Sequence, residues 1–119
     1  RSTLFPYTTL FRSVMLGFGN IICKGNILTT NIEIGNFNHI NLNCTVGHDV
    51  QFNDYITVYP GVNISGNVII NDCVEVGTGT KIIQGKKIVK ETVIGAGSVV
   101  VKDIIENGTY IGIPAKQMK

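Results

Sequence analysis

Beyond residue 12 the chain contains no arginine. It also lacks any hydrophobic run approaching the roughly 18 residues that a membrane-crossing helix needs, so no membrane insertion is expected. Its three cysteines, Cys23, Cys44 and Cys73, are odd in number and show no CxxC spacing. That pattern argues against a disulfide framework and against a structural zinc site, and a reducing cytoplasm is the expected compartment. The basic start is not followed by an apolar stretch or a small-residue cleavage site, so a secretory signal is not expected either.

The missing arginine divides the chain. Both arginines, Arg1 and Arg12, fall within RSTLFPYTTLFRS, whereas everything from Val14 onward is rich in Ile, Asn and Lys. The thirteen-residue segment resembles the translation of a common sequencing adapter, and residues 1–13 are expected to be foreign to the domain. Without them, eight lysines balance eight acidic residues, and the formal charge of +2 disappears. The distribution is uneven: residues 14–80 carry one lysine against five acids, and residues 81–119 carry seven lysines against three. Such an asymmetry suits an anionic ligand, but it is too weak to suggest nucleic acid. About a hundred residues make one domain.

What the chain does have is a period of six. Starting at Leu16, every sixth residue is apolar: Ile22, Leu28, Ile34, Ile40, Val46, Phe52, Val58, Ile64, Ile70, Val76, Ile82, Ile88, Ile94 and Val100. Neither a helix nor a plain strand alternation has this period, so the aliphatic marks one recurring inward point of a winding chain. A second inward series, four residues behind the first, runs through Cys44, Val50, Ile56, Val62, Val68, Val74, Thr80, Thr92 and Ser98. Its members are small or β-branched, as a narrow prism requires. Gly and Asn crowd the remaining positions and tolerate the left-handed angles of tight corners. The expected fold is all-β, a parallel β-helix over residues 14–105 with a C-terminal tail at 106–119.

The units IGNFNH, VGHDVQ, ISGNVI, VGTGTK and IGAGSV resemble the hexapeptide acyltransferase superfamily, whose coils contain three hexads, or eighteen residues. The resemblance implies a left-handed winding, about five coils between residues 16 and 105, and homotrimeric assembly with sites between subunits. The block NLNCTVGHDVQFNDYITVYPGVNISGNV, followed by GTGTKIIQG, IGAGSVVVKDI and GIPAK, resembles the sialic acid O-acetyltransferase and UDP-amino-sugar N-acetyltransferase group. This implies an acetyltransferase that uses acetyl-CoA and no metal, with a sugar or nucleotide-linked sugar as acceptor. The acceptor, and O- versus N-acetylation, stay open.

By the same resemblance His48 is the general base that takes a proton from the attacking hydroxyl or amine, a task suited to imidazole. Asp49 matches the acidic neighbour that orients it. Gly66, eighteen residues after His48, stacks above it on one edge, where the family uses the matching N–H to stabilise the thioester oxygen. Further steps of eighteen lead to Gln84 and Lys102, and a parallel edge carries Thr78 and Ala96, all expected along the coenzyme groove. Lys81, Lys86, Lys87, Lys102 and Lys116 are candidates for its phosphates.

The chain departs from the pattern in two places. Some relatives carry a second histidine nine residues after the first, where this chain has Thr57, a hydrogen-bond donor expected to contact the coenzyme but unable to act as a base. Relatives also carry an N-terminal acceptor-binding α/β domain where this sequence has RSTLFPYTTLFRS. The competing readings are a zinc hydratase related to γ-type carbonic anhydrases and a non-catalytic solenoid scaffold. The first requires three converging imidazoles, and the chain has His39 and His48, half a coil apart. The second predicts regular Thr-rich ladders, which are missing.

Overall fold

The computed structural model describes residues 1–11 and 13–119; Arg12, the second arginine of the N-terminal segment, lies outside the described residues. The chain winds into a parallel β-helix, a triangular prism measuring 39 × 20 × 20 Å. Among the described residues the three sheets contain eight, six and five strands. Most strands are two residues long, one facing out and the next in, and each pairs with the strand eighteen residues away: Ile21 with His39, His39 with Thr57, and Thr57 with Glu75. Among the described residues no helix is long and apolar enough to cross a membrane.

Both periodic series point into the prism. From Ile22 to Val100 every member of the first is buried, and the nine residues of the second are fully so. Because a prism this thin has no second layer, its core is one axial column, and each residue packs against its equivalents one coil above and below.

The corners follow from backbone angles. Every sixth residue from Tyr7 to Gly97 has positive φ, and the non-glycine members, among them Asn31, Asp49 and Asn67, lie between 55° and 68°. Asn and Asp adopt this conformation readily, whereas Phe37 and Tyr55 occupy it at a cost of about 1–2 kcal/mol each. Their rings stack on one another, with centroids 5.5 Å apart and planes 14° from parallel.

Polar residues enter the core at Asn20, Asn26 and Asn38, on the second series. Each side chain ties adjacent coils together. Asn38 Oδ1 accepts from the Ile56 amide at 2.8 Å, while its Nδ2 donates to the Asn53 carbonyl at 2.9 Å. Asn26 does the same with the Cys44 amide and the Asn41 carbonyl. Removing such a side chain leaves a buried donor and acceptor unpaired. Asn38→Ala is therefore expected to destabilise by about 2–3 kcal/mol, read as a lowered midpoint in urea titration.

Further strands extend the prism at both ends. Residues 3–11 are wound onto the prism as an additional coil: Thr3 pairs with Ile21 and Thr9 with Ile27. This gives six strands eighteen residues apart on the first face, close to the five coils expected from residues 16–105. The coil closes the end without joining the core, because Leu4 and Leu10 remain 41% and 37% exposed. At the other end, the segment expected as a tail continues the eight-stranded sheet. Gly108–Ile111 pairs in parallel with Thr92–Ile94, and Lys116–Gln117 folds back antiparallel. The Ile94-to-Tyr110 step is two residues short of a full coil, which is why the six-residue period fades after Val100.

Candidate active site

His48 lies at the edge between the six-stranded and five-stranded sheets, in the corner that joins Thr45–Val46 to Gln51–Phe52. The corner is held from both sides. The Asp49 amide donates to the Thr30 carbonyl at 3.1 Å, and the His48 carbonyl accepts from the Asn67 amide at 2.8 Å. Asp49 has φ of 59°, so the chain turns sharply at the residue after the histidine, and the carboxylate comes back against the ring. His48 Nδ1 and Asp49 Oδ2 are 2.9 Å apart, with side chains 49% and 42% exposed. The second carboxylate oxygen, Oδ1, accepts from Asn31 Nδ2, one coil below.

Two donors thus converge on Asp49. The bond to His48 first, and the one to Asn31 second, hold its carboxyl below the usual carboxylate range. A carboxylate facing Nδ1 selects the tautomer with its proton there and leaves Nε2 with a free lone pair. The Nε2 edge of the ring lies over Gly66. A Cβ at that position would fall 2.6 Å from His48 Cε1, so the glycine is required by the imidazole it carries. Gly66 is buried, and among the described residues its N–H has no hydrogen-bond partner, although its carbonyl accepts from Gly85 at 2.9 Å. Buried N–H groups are rarely left unpaired. Gly47 lies alongside, where a Cβ would fall 2.7 Å from the Gly66 nitrogen. This edge therefore presents an imidazole, oriented by a carboxylate, next to an unused backbone donor.

The other sequence candidates separate. Gln84 and Lys102 follow His48 and Gly66 up the same edge, both exposed. Thr78 and Ala96 stack on the next edge, between the eight- and six-stranded sheets, where the Gly97 amide donates to the Thr78 carbonyl. Thr57 faces outward from the eight-stranded sheet, with Cα partners His39 and Glu75. Within one chain these three do not meet His48. Lys81 is engaged locally, its Nζ donating to Asn63 Oδ1 at 2.6 Å and to the Gly61 carbonyl. His39 is on a different face from His48, with Nε2 3.5 Å from Cys23 Sγ.

Sequence reasoning passed over the groove beside Asp49. It has a volume of about 300 Å³ and is lined by Asn31, Glu33, Asp49, Gln51, Asn67 and Ile69. Two eighteen-residue columns supply it, one of corner residues and one of outward strand residues, so stepping from Asp49 in both directions would have found it.

No protein-family model matches the sequence. The chain is 37% identical over 120 residues to GDP-perosamine N-acetyltransferase of Escherichia coli O157:H7, covering 96% of this chain and 54% of that protein. Among solved structures, the acetyltransferase domain of PglB from Neisseria gonorrhoeae FA1090, in complex with acetyl coenzyme A, superimposes with a TM-score of 0.95 at 27% identity. The match covers 98% of this chain and 57% of that one. Perosamine N-acetyltransferase from Caulobacter crescentus, a variant with one histidine replaced by asparagine and in complex with CoA and GDP-perosamine, gives 0.94 at 30% identity. There the shares are 97% and 55%. The chain spans little more than half the length of these relatives. With its hexad repeat, its β-helix and this similarity along nearly its whole length, the chain belongs to the hexapeptide-repeat acetyltransferase family.

Proposed function

We propose that this chain is the catalytic part of an acetyl-CoA-dependent N-acetyltransferase acting on a nucleotide-linked amino sugar, with His48 as general base. The observation that carries the reading is the Asn31–Asp49–His48 relay, whose free Nε2 edge lies against Gly66. The amine of the acceptor attacks the thioester carbonyl while His48 Nε2 takes its proton. The carbonyl oxygen, becoming negative, accepts from the Gly66 N–H. As the tetrahedral intermediate collapses the carbon–sulfur bond breaks, and the coenzyme leaves as a thiol with the proton returned by the imidazolium. Asp49, held ionised by its two donors, stabilises that imidazolium.

The choice of an amine acceptor rests on the similarity to the perosamine enzymes. The groove beside Asp49 is consistent with a sugar, since its amide and carboxylate groups match vicinal hydroxyls and Ile69 offers an apolar surface. Lys102, on the same edge and exposed, is the lysine best placed for a coenzyme phosphate. Thr57, Thr78 and Ala96 contribute to a coenzyme groove only from a neighbouring subunit, in keeping with a homotrimer that has sites between subunits. The unpaired cysteines suit a cytoplasmic enzyme.

Calorimetric titration with acetyl-CoA tests the reading at its base, because binding requires no acceptor domain. Saturable binding of one acetyl-CoA per chain is the expected result, and no detectable binding to a folded preparation would contradict the assignment.

A further inference from the structure

We propose that Glu33 is a specificity-determining residue, whose carboxylate binds two vicinal hydroxyls of the acceptor's sugar in the groove beside Asp49. The proposal rests on the acceptor reading above and deepens it. Glu33 faces outward from the strand Ile32–Ile34 of the five-stranded sheet, with Gln51 as its Cα partner one coil up. That sheet carries none of the residues assigned to a neighbouring subunit, and no residue of 1–13 lines the groove.

The groove differs from other parts of the surface in what its polar side chains do. In several places outward polar residues one coil apart bond to one another. Asn53 Nδ2 donates to Asn71 Oδ1 at 2.9 Å, Asn63 Nδ2 to Thr45 Oγ1 at 2.8 Å, and Lys81 Nζ to Asn63 Oδ1 at 2.6 Å. Glu33 and Gln51 stand in the same relation, one coil apart on one face. Yet among the described residues no hydrogen bond or ion pair engages either side chain, or that of Asn67, while Asn31 and Asp49 are taken up by the relay to His48. Three uncommitted polar groups therefore line one groove of about 300 Å³.

Position ties this groove to the reaction. Its upper end is at Asn67, the residue after Gly66, and Glu33 at its lower end is two coils below Ile69, about 10 Å away. A sugar seated with its amine at the Asn67 end lays its ring over Gln51 and Ile69 and brings its hydroxyls to Glu33. A carboxylate has two acceptor oxygens, one for each hydroxyl of a vicinal pair. The carboxylates of Glu33 and Asp49 also repel the coenzyme's phosphates, whereas Lys81, Lys86, Lys87 and Lys102 all lie in later coils. The two substrates thus approach His48 from opposite directions along the prism.

Steady-state kinetics of acetyl transfer to GDP-perosamine tests the proposal. Glu33→Ala is expected to raise the KM for GDP-perosamine about tenfold, with kcat and the KM for acetyl-CoA unchanged, because the lost bonds exist in ground state and transition state alike. Glu33→Gln, which keeps one acceptor oxygen, should fall between. With an acceptor analogue lacking one of the two hydroxyls, the penalty of Glu33→Ala should shrink to about threefold or less. A merely structural role for Glu33 would leave that penalty the same. Wild-type transfer combined with an unaltered acceptor KM in Glu33→Ala overturns the proposal alone, and so does a penalty that the analogue does not reduce. A wild type that binds acetyl-CoA yet acetylates no GDP-perosamine overturns the acceptor reading, and the proposal with it.

Discussion

Replacing His48 with alanine is expected to lower acetyl transfer by about 10²–10⁴-fold while leaving acetyl-CoA affinity unchanged. The separation of the two effects follows from geometry. The imidazole is half exposed and its ring lies over Gly66 at the corner, outside the core, so its loss leaves the core intact. The backbone bonds from Asn67 to His48 and from Asp49 to Thr30 hold the corner in place whatever the side chain. What disappears is the lone pair at Nε2. Initial rates with acetyl-CoA and GDP-perosamine, alongside calorimetric titration with acetyl-CoA, separate the alternatives. A variant that retains wild-type turnover places the base elsewhere. A variant that has lost binding in proportion assigns His48 to coenzyme recognition.

Gly66→Ala is expected to reduce turnover by about 10²-fold with little change in stability, because a misplacement of about 1 Å at the reacting groups is enough for such a loss. The added methyl occupies the space of the imidazole ring, 2.6 Å from Cε1 and closer still to Nε2. Gly66 lies outside the positive-φ corner series, so alanine is compatible with its backbone, and the ring is the group that moves. The displaced imidazole swings away from the coenzyme edge, and the methyl also crowds the approach to the unpaired N–H. Thermal unfolding within a few degrees of wild type, together with a collapsed kcat, is the expected pair of readings. Full activity in a folded Gly66→Ala variant would show that the ring over Gly66 is not the catalytic arrangement.

The interior was legible because a thin prism repeats one environment. An aliphatic at Ile22 faces the same neighbours as one at Val58 or Ile94, and fifteen apolar residues in register cannot be satisfied by a helix or by an ordinary strand. The stacking of Gly66 over His48 follows directly from the eighteen-residue coil, and the structure agrees. Asn31 stands one coil below Asp49, off the series of eighteen-residue steps that runs upward from His48 through Gly66, and its amide carries no motif of its own. The buried asparagines were hidden by their polarity. They share the second inward series, but their burial depends on amides and carbonyls of adjacent coils that no local pattern displays. The C-terminal strand escaped for a different reason: Tyr110 pairs with Ile94 sixteen residues earlier, and a register change of two removes it from the hexad count. The Cys23–His39 pair, also sixteen apart, brings together two residues that no eighteen-residue step would align.

A crystal structure of the chain with coenzyme A bound tests the central claim most directly. The account predicts the coenzyme lying along the edge that carries His48, Gly66, Gln84 and Lys102, with its sulfur near His48 Nε2 and the Gly66 nitrogen about 3 Å from the position of the thioester oxygen. Coenzyme bound along another edge, with His48 Nε2 and the Gly66 N–H facing solvent, would contradict it.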